Sequence, residues 1–570
     1  MILEHLPTSE HTCDLCVVGS GPVGMALALE FERLGRDVLV LESGRTEVYP
    51  ELAEASRAIL VSPQRHAPME TAVCRALGGT SWTWGGRCVA FDDLDFDARV
   101  QVPHSGWPFA HDAVKAWYAR AAQYLLCGDD TFSSPIRHLG SLGPDVSAAS
   151  LERWSTEPRL ALVHGKRIER SERITLCLNS TVVDLDLGKD GRAVENIVVA
   201  SPNSHSMVKA RTVILAGGGV ETTRLLLAVQ GRWPGHFGGT GGPLGRYYMG
   251  HISGKIANII LNDPSAVADL DFQLDATGVY IRRRFMLTEA AQRTHGLLNA
   301  AFFPDNAPFH DPHHRSSVLS AVFLALALPP VGRLLLPEAI RVAHVGPKPH
   351  RIGAHIVNVV YGAPVGIRDL FKIMRERFLT TPRKPSFLVR NRDGVYALHY
   401  HAEQEPNPES RVILTDEVDR FGVPRVAIDL RFTGGDSRSV IGSHRVLDEA
   451  LRTSGVGRLE YWHPQDQLHD RVLAQASDGL HQVGTTRMGQ DPKDSVVDED
   501  LKVHDIANLH VASSSVFPTT GQANSTLLAT ALAIRLAHHL NMKAAGIRTG
   551  RVDDLRVDDL RINDLRINDQ

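Results

Sequence analysis

The chain has 570 residues, 43% of them hydrophobic, and a formal net charge of −4 at pH 7. It is too long for one compact core and suits two joined domains, and no clustered Lys/Arg face points to a nucleic-acid partner. Six cysteines in a chain of this size make no disulfide framework.

The N-terminus, Met1-Ile-Leu-Glu-His-Leu-Pro7, has neither a basic region before a long apolar run nor a twin arginine, so a cytoplasmic location is expected. Cys13-Asp-Leu-Cys-Val-Val18 predicts a buried parallel strand, in which Cys13 and Cys16 pack rather than react. Gly19-Ser-Gly-Pro-Val-Gly24 follows directly, then an apolar helix from Met25 to about Leu34 and a strand from Asp37 to Leu41, closed by Glu42. Glycines at 19, 21 and 24 permit a tight turn, close approach to a pyrophosphate and close helix–strand packing. Glu42 stands 18 residues after Gly24, where an acid accepts from ribose hydroxyls and opposes a 2′-phosphate. The fingerprint predicts a dinucleotide without separating FAD from NAD.

Leu77-Gly-Gly-Thr-Ser-Trp-Thr-Trp-Gly-Gly-Arg87 and Ser105-Gly-Trp-Pro108 are loops, and 101–154 reads as a helical connection. Thr175 to Ala200 alternates and turns at Lys189-Asp-Gly191, as a β-meander would. Ala210 to Leu226 is a strand, a glycine-rich turn and a helix. Strands are expected at His251 to Leu261, Gly394 to His401 and Arg411 to Leu414. His310, His313 and His314 lie in a proline-containing segment read as a mobile polar loop, with no metal expected. No apolar run is long enough to span a membrane. Val318 to Leu336, broken by Pro329-Pro330 and Arg333, reads as a substrate-domain helix or an active-site cover.

Near the end, His481 and Asn524 stand 43 residues apart among glycines and small residues, before an apolar helix from Leu527 to Leu540. A titratable base and an amide that can only hydrogen-bond suit oxidation of an alcohol. His538-His539, at the end of that helix, need no further role. Residues 546–570 carry a five-residue repeat, RVDDL-RVDDL-RINDL-RINDQ, read as a flexible tail.

Residues 479–540 resemble the C-terminal signature of the glucose-methanol-choline (GMC) flavoprotein oxidoreductases, and 14–44, 77–108 and 210–226 resemble the family's cofactor segments. By pattern the resemblance is to the bacterial sugar and polyol branch, which includes pyranose oxidases, C-glycoside 3-oxidases and fructose and gluconate dehydrogenase flavosubunits. It implies an α/β architecture: a discontinuous Rossmann-type FAD-binding domain (10–100, 155–250 and 475–545) and an α+β substrate domain (251–474) on a mostly antiparallel sheet. The implied cofactor-binding residues are Gly19, Gly21, Gly24, Glu42, Gly79, Thr80, Ser81, Thr83, Trp84, Val183, Ala216, Gly217, Ser514, Asn524, Ser525 and Thr526. His481 is implied as the base and Asn524 as its partner, with hydride passing to flavin N5. The segment Ala402 to Ser410 resembles one that borders the family's substrate cavity; a proline-rich surface turn is the other reading. Thr83 stands where covalently flavinylated pyranose oxidases carry the linking histidine, so FAD is expected to be non-covalent. The implied substrate is a sugar, glycoside or polyol whose secondary alcohol becomes a ketone, with oxygen or a quinone or dye as acceptor. A homo-oligomer, lyase-type chemistry and a non-sugar alcohol are left open.

Overall fold

The computed structural model describes residues 1–546 except 8, 9, 137, 138, 203, 336, 337 and 347; the repeat at 551–570 lies outside the described residues. The first long strand is Glu10–Val18, three residues longer than its apolar part predicts. The extension is set by pairing: Glu10, His11 and Thr12 lie opposite Met207, Val208 and Lys209. Gly19 then takes φ +101°, a conformation L side chains rarely adopt, and turns the chain into the helix Pro22–Arg33. The helix starts at Pro22 rather than Met25, since a first-turn proline has no N–H to leave unsatisfied.

Val38–Leu41 runs parallel to Glu10–Val18, with Ile174–Cys177 and Ile2–Leu3 beyond it. On the other side lies Ser204–Leu215, which carries two kinds of pairing. Its end runs parallel to Glu10–Val18 and to Leu509–Val511, and its start is antiparallel to Val194–Ser201. The expected meander is therefore split. Thr181–Leu187 pairs with Val194–Ser201, but Ile174–Cys177 joins the parallel half at the far side of the hydrogen-bonded order. Only Leu178 to Ser180 connect Cys177 with Thr181, a span of roughly 14 Å at most. The sheet must curl back on itself to allow it.

The second sheet is antiparallel, in the order Gly457–Tyr461, His251–Leu261, Val395–Glu403, Ala300–Asp305, Phe285–Leu287 and Val146–Ser147. The helix Gly434–Thr453 covers it, burying Val440, Leu447 and Leu451 beside Ile256, Leu398 and Tyr400. Among the described residues of 101–154, helix covers only Asp112–Lys115 and Tyr118–Tyr124; the later part supplies Val146–Ser147 and Leu151–Trp154 as strands. Neither strand can bury its apolar positions alone, and both are recruited as sheet partners.

Three surface readings change. His538 does not end its helix, which runs on to Ala544; its Nε2 lies 2.9 Å from Glu30 Oε1, so it joins the C-terminal helix to the N-terminal one. The His310–His314 segment is pinned: Asn358 donates to the Pro312 carbonyl at 2.8 Å, and His313 Nδ1 meets Asp311 at 2.6 Å. The apolar run from Val318 forms two helices, Ser317–Ala327 and Pro329–Leu335, bent by 108°. Among the described residues no single helix is long and apolar enough to cross a membrane.

Candidate active site

A cavity opens at the ends of the parallel strands. Its wall includes Gly19, Gly21, Glu42, Gly79, Thr80, Ala216, Gly217, Ser514, Ser525 and Thr526, drawn from segments up to 507 residues apart in sequence. Glu42 is buried there, its Oε2 accepting from the Ser20 N–H at 2.9 Å and the Ser20 hydroxyl at 2.6 Å, its Oε1 from the Gly44 N–H at 2.7 Å.

The glycines divide by reason. A Cβ on Gly24 would stand 2.0 Å from the Gly19 carbonyl oxygen, and one on Gly19 would stand 2.7 Å from that of Ala216. These two serve the protein's own packing. A Cβ on Gly21 would meet nothing within 4 Å, so that position faces the cavity. The cradle fits a dinucleotide pyrophosphate at the helix N-terminus. Gly21→Val is expected to fold, since φ −63° and ψ −176° suit a β-branched residue before proline. It should purify without flavin, because the side chain fills the pyrophosphate's place. Flavin content equal to wild type would refute the assignment.

Six implied cofactor residues stand off the cavity wall, Asn524 among them. Gly24 lies behind the turn. The Ser81 hydroxyl donates to the Gly78 carbonyl at 2.6 Å, and the Trp84 indole N–H to the Pro158 carbonyl at 2.7 Å; both hold the loop in shape. Thr83 is exposed, its hydroxyl 3.3 Å from the Thr80 carbonyl. Thr181 and Val182, not Val183, line the wall.

His481 lies between Leu480 and Gln482, which line the cavity. Its Nδ1 is 2.9 Å from Asp478 Oδ2, and its Nε2 is 2.8 Å from Asn524 Nδ2. An Nδ1–H donated to the carboxylate leaves Nε2 bare, able to accept from the amide. Asp478 also accepts from the backbone N–H groups of His251, Leu480 and His481 at 2.6, 2.8 and 3.1 Å. Its burial opposes ionisation, but the imidazoles of His481 and His251 hold it well below the usual carboxylate range. His481 is thus backed by a fixed negative charge.

Two further histidines pack against His481. The His251 ring stacks on His401 at 4.3 Å and meets His481 edge-on at 4.5 Å. His401 Nδ1 lies 2.6 Å from the Ser253 hydroxyl; its Nε2 and both His251 ring nitrogens have no hydrogen-bond partner among the described residues. Burial, then nearby charge on His481 and Arg87 for the one and on His251 and Arg87 for the other, presses both below the usual imidazole range. They remain neutral. Ligand atoms of His251, Asp478 and His481 lie within 4.8 Å of one another, but the 2.9 Å contact is a direct hydrogen bond.

The loop carrying Asn524 is held from both sides. The Trp107 indole N–H donates to the Thr519 hydroxyl at 3.0 Å, and Arg284 donates to Gln522. Gln404, in the segment expected to border the substrate cavity, accepts from the Gly250 N–H at its Oε1 at 2.8 Å, and its backbone N–H donates to the Thr520 hydroxyl at 3.2 Å. Sequence reasoning singled out His481 and Asn524 but missed Asp478, His251 and His401. Asp478, three residues before His481, was the one with a local signal.

Two family profiles match. One described as GMC oxidoreductase covers residues 406–533, and one described as FAD binding domain covers 14–244. Paromamine 6'-oxidase of Streptomyces fradiae is 25% identical over 567 residues, 92% of this chain and 90% of the relative. The C-glycoside 3-oxidase of Arthrobacter globiformis is 34% identical over 134 residues, 23% of this chain and 24% of that one. A formate oxidase crystal structure aligns with TM-score 0.52 and 16% identity, covering 95% of this chain and all of the other; it shows the fold alone. The first profile spans the Asp478–His481–Asn524 line and the second the glycine cradle, so together they account for both halves of the site: the chain belongs to the GMC family of FAD-dependent oxidoreductases.

Proposed function

We propose that the protein oxidises a secondary alcohol of a sugar, glycoside or polyol to a ketone, with His481 as the base. The observation that carries this reading is the hydrogen-bonded line from Asp478 through His481 to Asn524. A substrate hydroxyl that displaces the Asn524 N–H from His481 Nε2 gives up its proton there. Asn524 Nδ2, on the same side, donates to the oxygen as negative charge develops on it. The imidazolium that forms is balanced by Asp478. FAD, when bound, supplies the two-electron acceptor for the carbon-bound hydrogen. His251 and His401 offer neutral ring nitrogens to neighbouring hydroxyls, which suits a polyhydroxylated substrate. The helix Thr526–Ala544 begins at the cavity wall and directs its positive end toward the cofactor.

The relatives named for oxidising paromamine and C-glycosides support a sugar hydroxyl as the reacting group. Anaerobic mixing with a panel of sugars and polyols tests the proposal. Bleaching of the flavin absorbance by one of them is expected; a flavin that stays oxidised while a cyanohydrin is cleaved would replace it with a lyase. Comparing oxygen with quinone and dye acceptors identifies the reoxidant.

We infer that the FAD is dissociable, because Gly79 to Arg87 holds no histidine, cysteine or tyrosine to form a link. Acid or heat denaturation should release all the flavin to the supernatant. Flavin retained on the precipitate would overturn this. We assign 10–100, 155–250 and 475–545 to the FAD domain and 251–474 to the substrate domain.

A further inference from the structure

Among the described residues, fourteen of the twenty-seven exposed large hydrophobic side chains fall between Leu328 and Leu379. They are ordered. On the helix Ile352–Tyr361 the exposed positions include Ile352, Ile356 and Val360, one every four residues. On the next helix, Ala363–Met374, joined to it by Gly362 alone, they are Ile367, Phe371 and Met374. Both runs mark one face of a helix.

The opposite faces are already committed. His355 is buried and stacks on Phe323 at 4.1 Å. A Cβ on Gly362 or Gly366 would come within 2.6 Å or 2.3 Å of the Ser317 side chain. The inner faces therefore pack tightly on Ser317–Ala327, and the apolar outer faces meet no cover among the described residues. Phe371 at 69% exposure and Tyr361 at 86% are costly in water unless something covers them.

The charge beside this face names its partner. From Leu328 to Arg392 twelve Lys/Arg stand against three Asp/Glu, in a chain of net charge −4. Lys348, Arg351, Arg368, Lys372 and Arg375 are exposed among the apolar positions. Exposed apolar side chains interleaved with arginine and lysine match the boundary between acyl chains and anionic headgroups. A second copy of the same basic face would instead meet like charge. The 108° bend between Ser317–Ala327 and Pro329–Leu335 fits a layer lying on a bilayer rather than crossing one. We propose that the helical layer from Leu328 to Leu379 docks the enzyme on an anionic lipid bilayer, at interfacial depth and without spanning it.

Flotation of the full-length holoenzyme with vesicles tests this, using phosphatidylcholine alone and phosphatidylcholine mixed with phosphatidylglycerol. The wild type should float with the mixed vesicles and at least about tenfold less with the neutral ones. Ile367→Glu with Phe371→Glu, and separately Arg368→Glu with Lys372→Glu, should each lower the bound fraction at least about tenfold. Flavin content and turnover of a soluble alcohol should stay unchanged in both, which separates loss of docking from loss of fold. Wild-type protein that ignores both vesicle types, or charge variants that bind like wild type, would overturn the proposal. So would a wild-type dimer in light scattering that the Ile367/Phe371 variant returns to monomer, since the face would then belong to a second copy.

Discussion

Replacing His481 with alanine is expected to leave FAD bound and to slow anaerobic flavin reduction by a saturating alcohol at least about a hundredfold, the scale of a lost general base. The protein should survive the change: the His481 side chain is partly exposed, and Asp478 keeps its three backbone donors without it. Asn524→Ala should slow reduction less, because it removes a hydrogen bond to the reacting oxygen rather than the proton acceptor. Asn524→His should be milder still, since a ring N–H can donate from nearly the same place. Rapid mixing with flavin absorbance as readout measures all three. Near-normal reduction in His481→Ala would place the base elsewhere and end the mechanism written above.

Asp478→Asn should cost nearly as much, at least about a hundredfold in the same step, although the residue touches no substrate. Asp478 holds Nδ1–H of His481 and so keeps Nε2 free to take a proton; an asparagine can donate as well as accept, and it lacks the charge that balances the imidazolium. The carboxylate is held well below its ordinary range by the two histidines, so it stays ionised through neutral and mildly acidic pH. Its contribution is present above the ordinary carboxylate range and is lost only as pH falls through its depressed folded value. In the variant the ascending limb of the pH–rate profile should move to lower pH and its plateau should fall. A merely structural aspartate would lower stability and flavin content without moving that limb. Thermal stability is measured alongside, because two of the four donors to Asp478 would face an amide N–H₂ in either orientation of the asparagine.

The dinucleotide turn was legible because all its causes are local. Gly19, Gly21, Gly24 and Glu42 lie within 24 residues, and a strand, a tight turn and a helix start each need only their own residues. The strand His251–Leu261 was legible to the residue for the same reason. His251 and His401 were not legible as part of a site, being 150 residues apart in sequence. They meet because Ser253 lies opposite His401, and His251 opposite Glu403, in the antiparallel register. An isolated histidine in a strand has no feature that marks it as packing against a distant histidine.

Side-chain direction was equally out of reach. The Gly79 to Arg87 loop reads as one cofactor-contacting unit, yet Gly79 and Thr80 reach the cavity while Ser81 and Trp84 spend their polar groups on carbonyls behind it. The meander failed in a similar way, since strand pattern shows which residues extend and not which neighbour they pair with. Residue pattern by itself marked the dinucleotide turn and singled out His481 and Asn524, because glycine spacing and side-chain chemistry carry those. Tertiary structure alone decided that Asp478 backs His481, that His251 and His401 stay neutral beside it, and that the Leu328–Leu379 layer leaves an apolar basic face outward. Burial, register and the direction of a side chain depend on residues far away in the chain, and no local pattern encodes them.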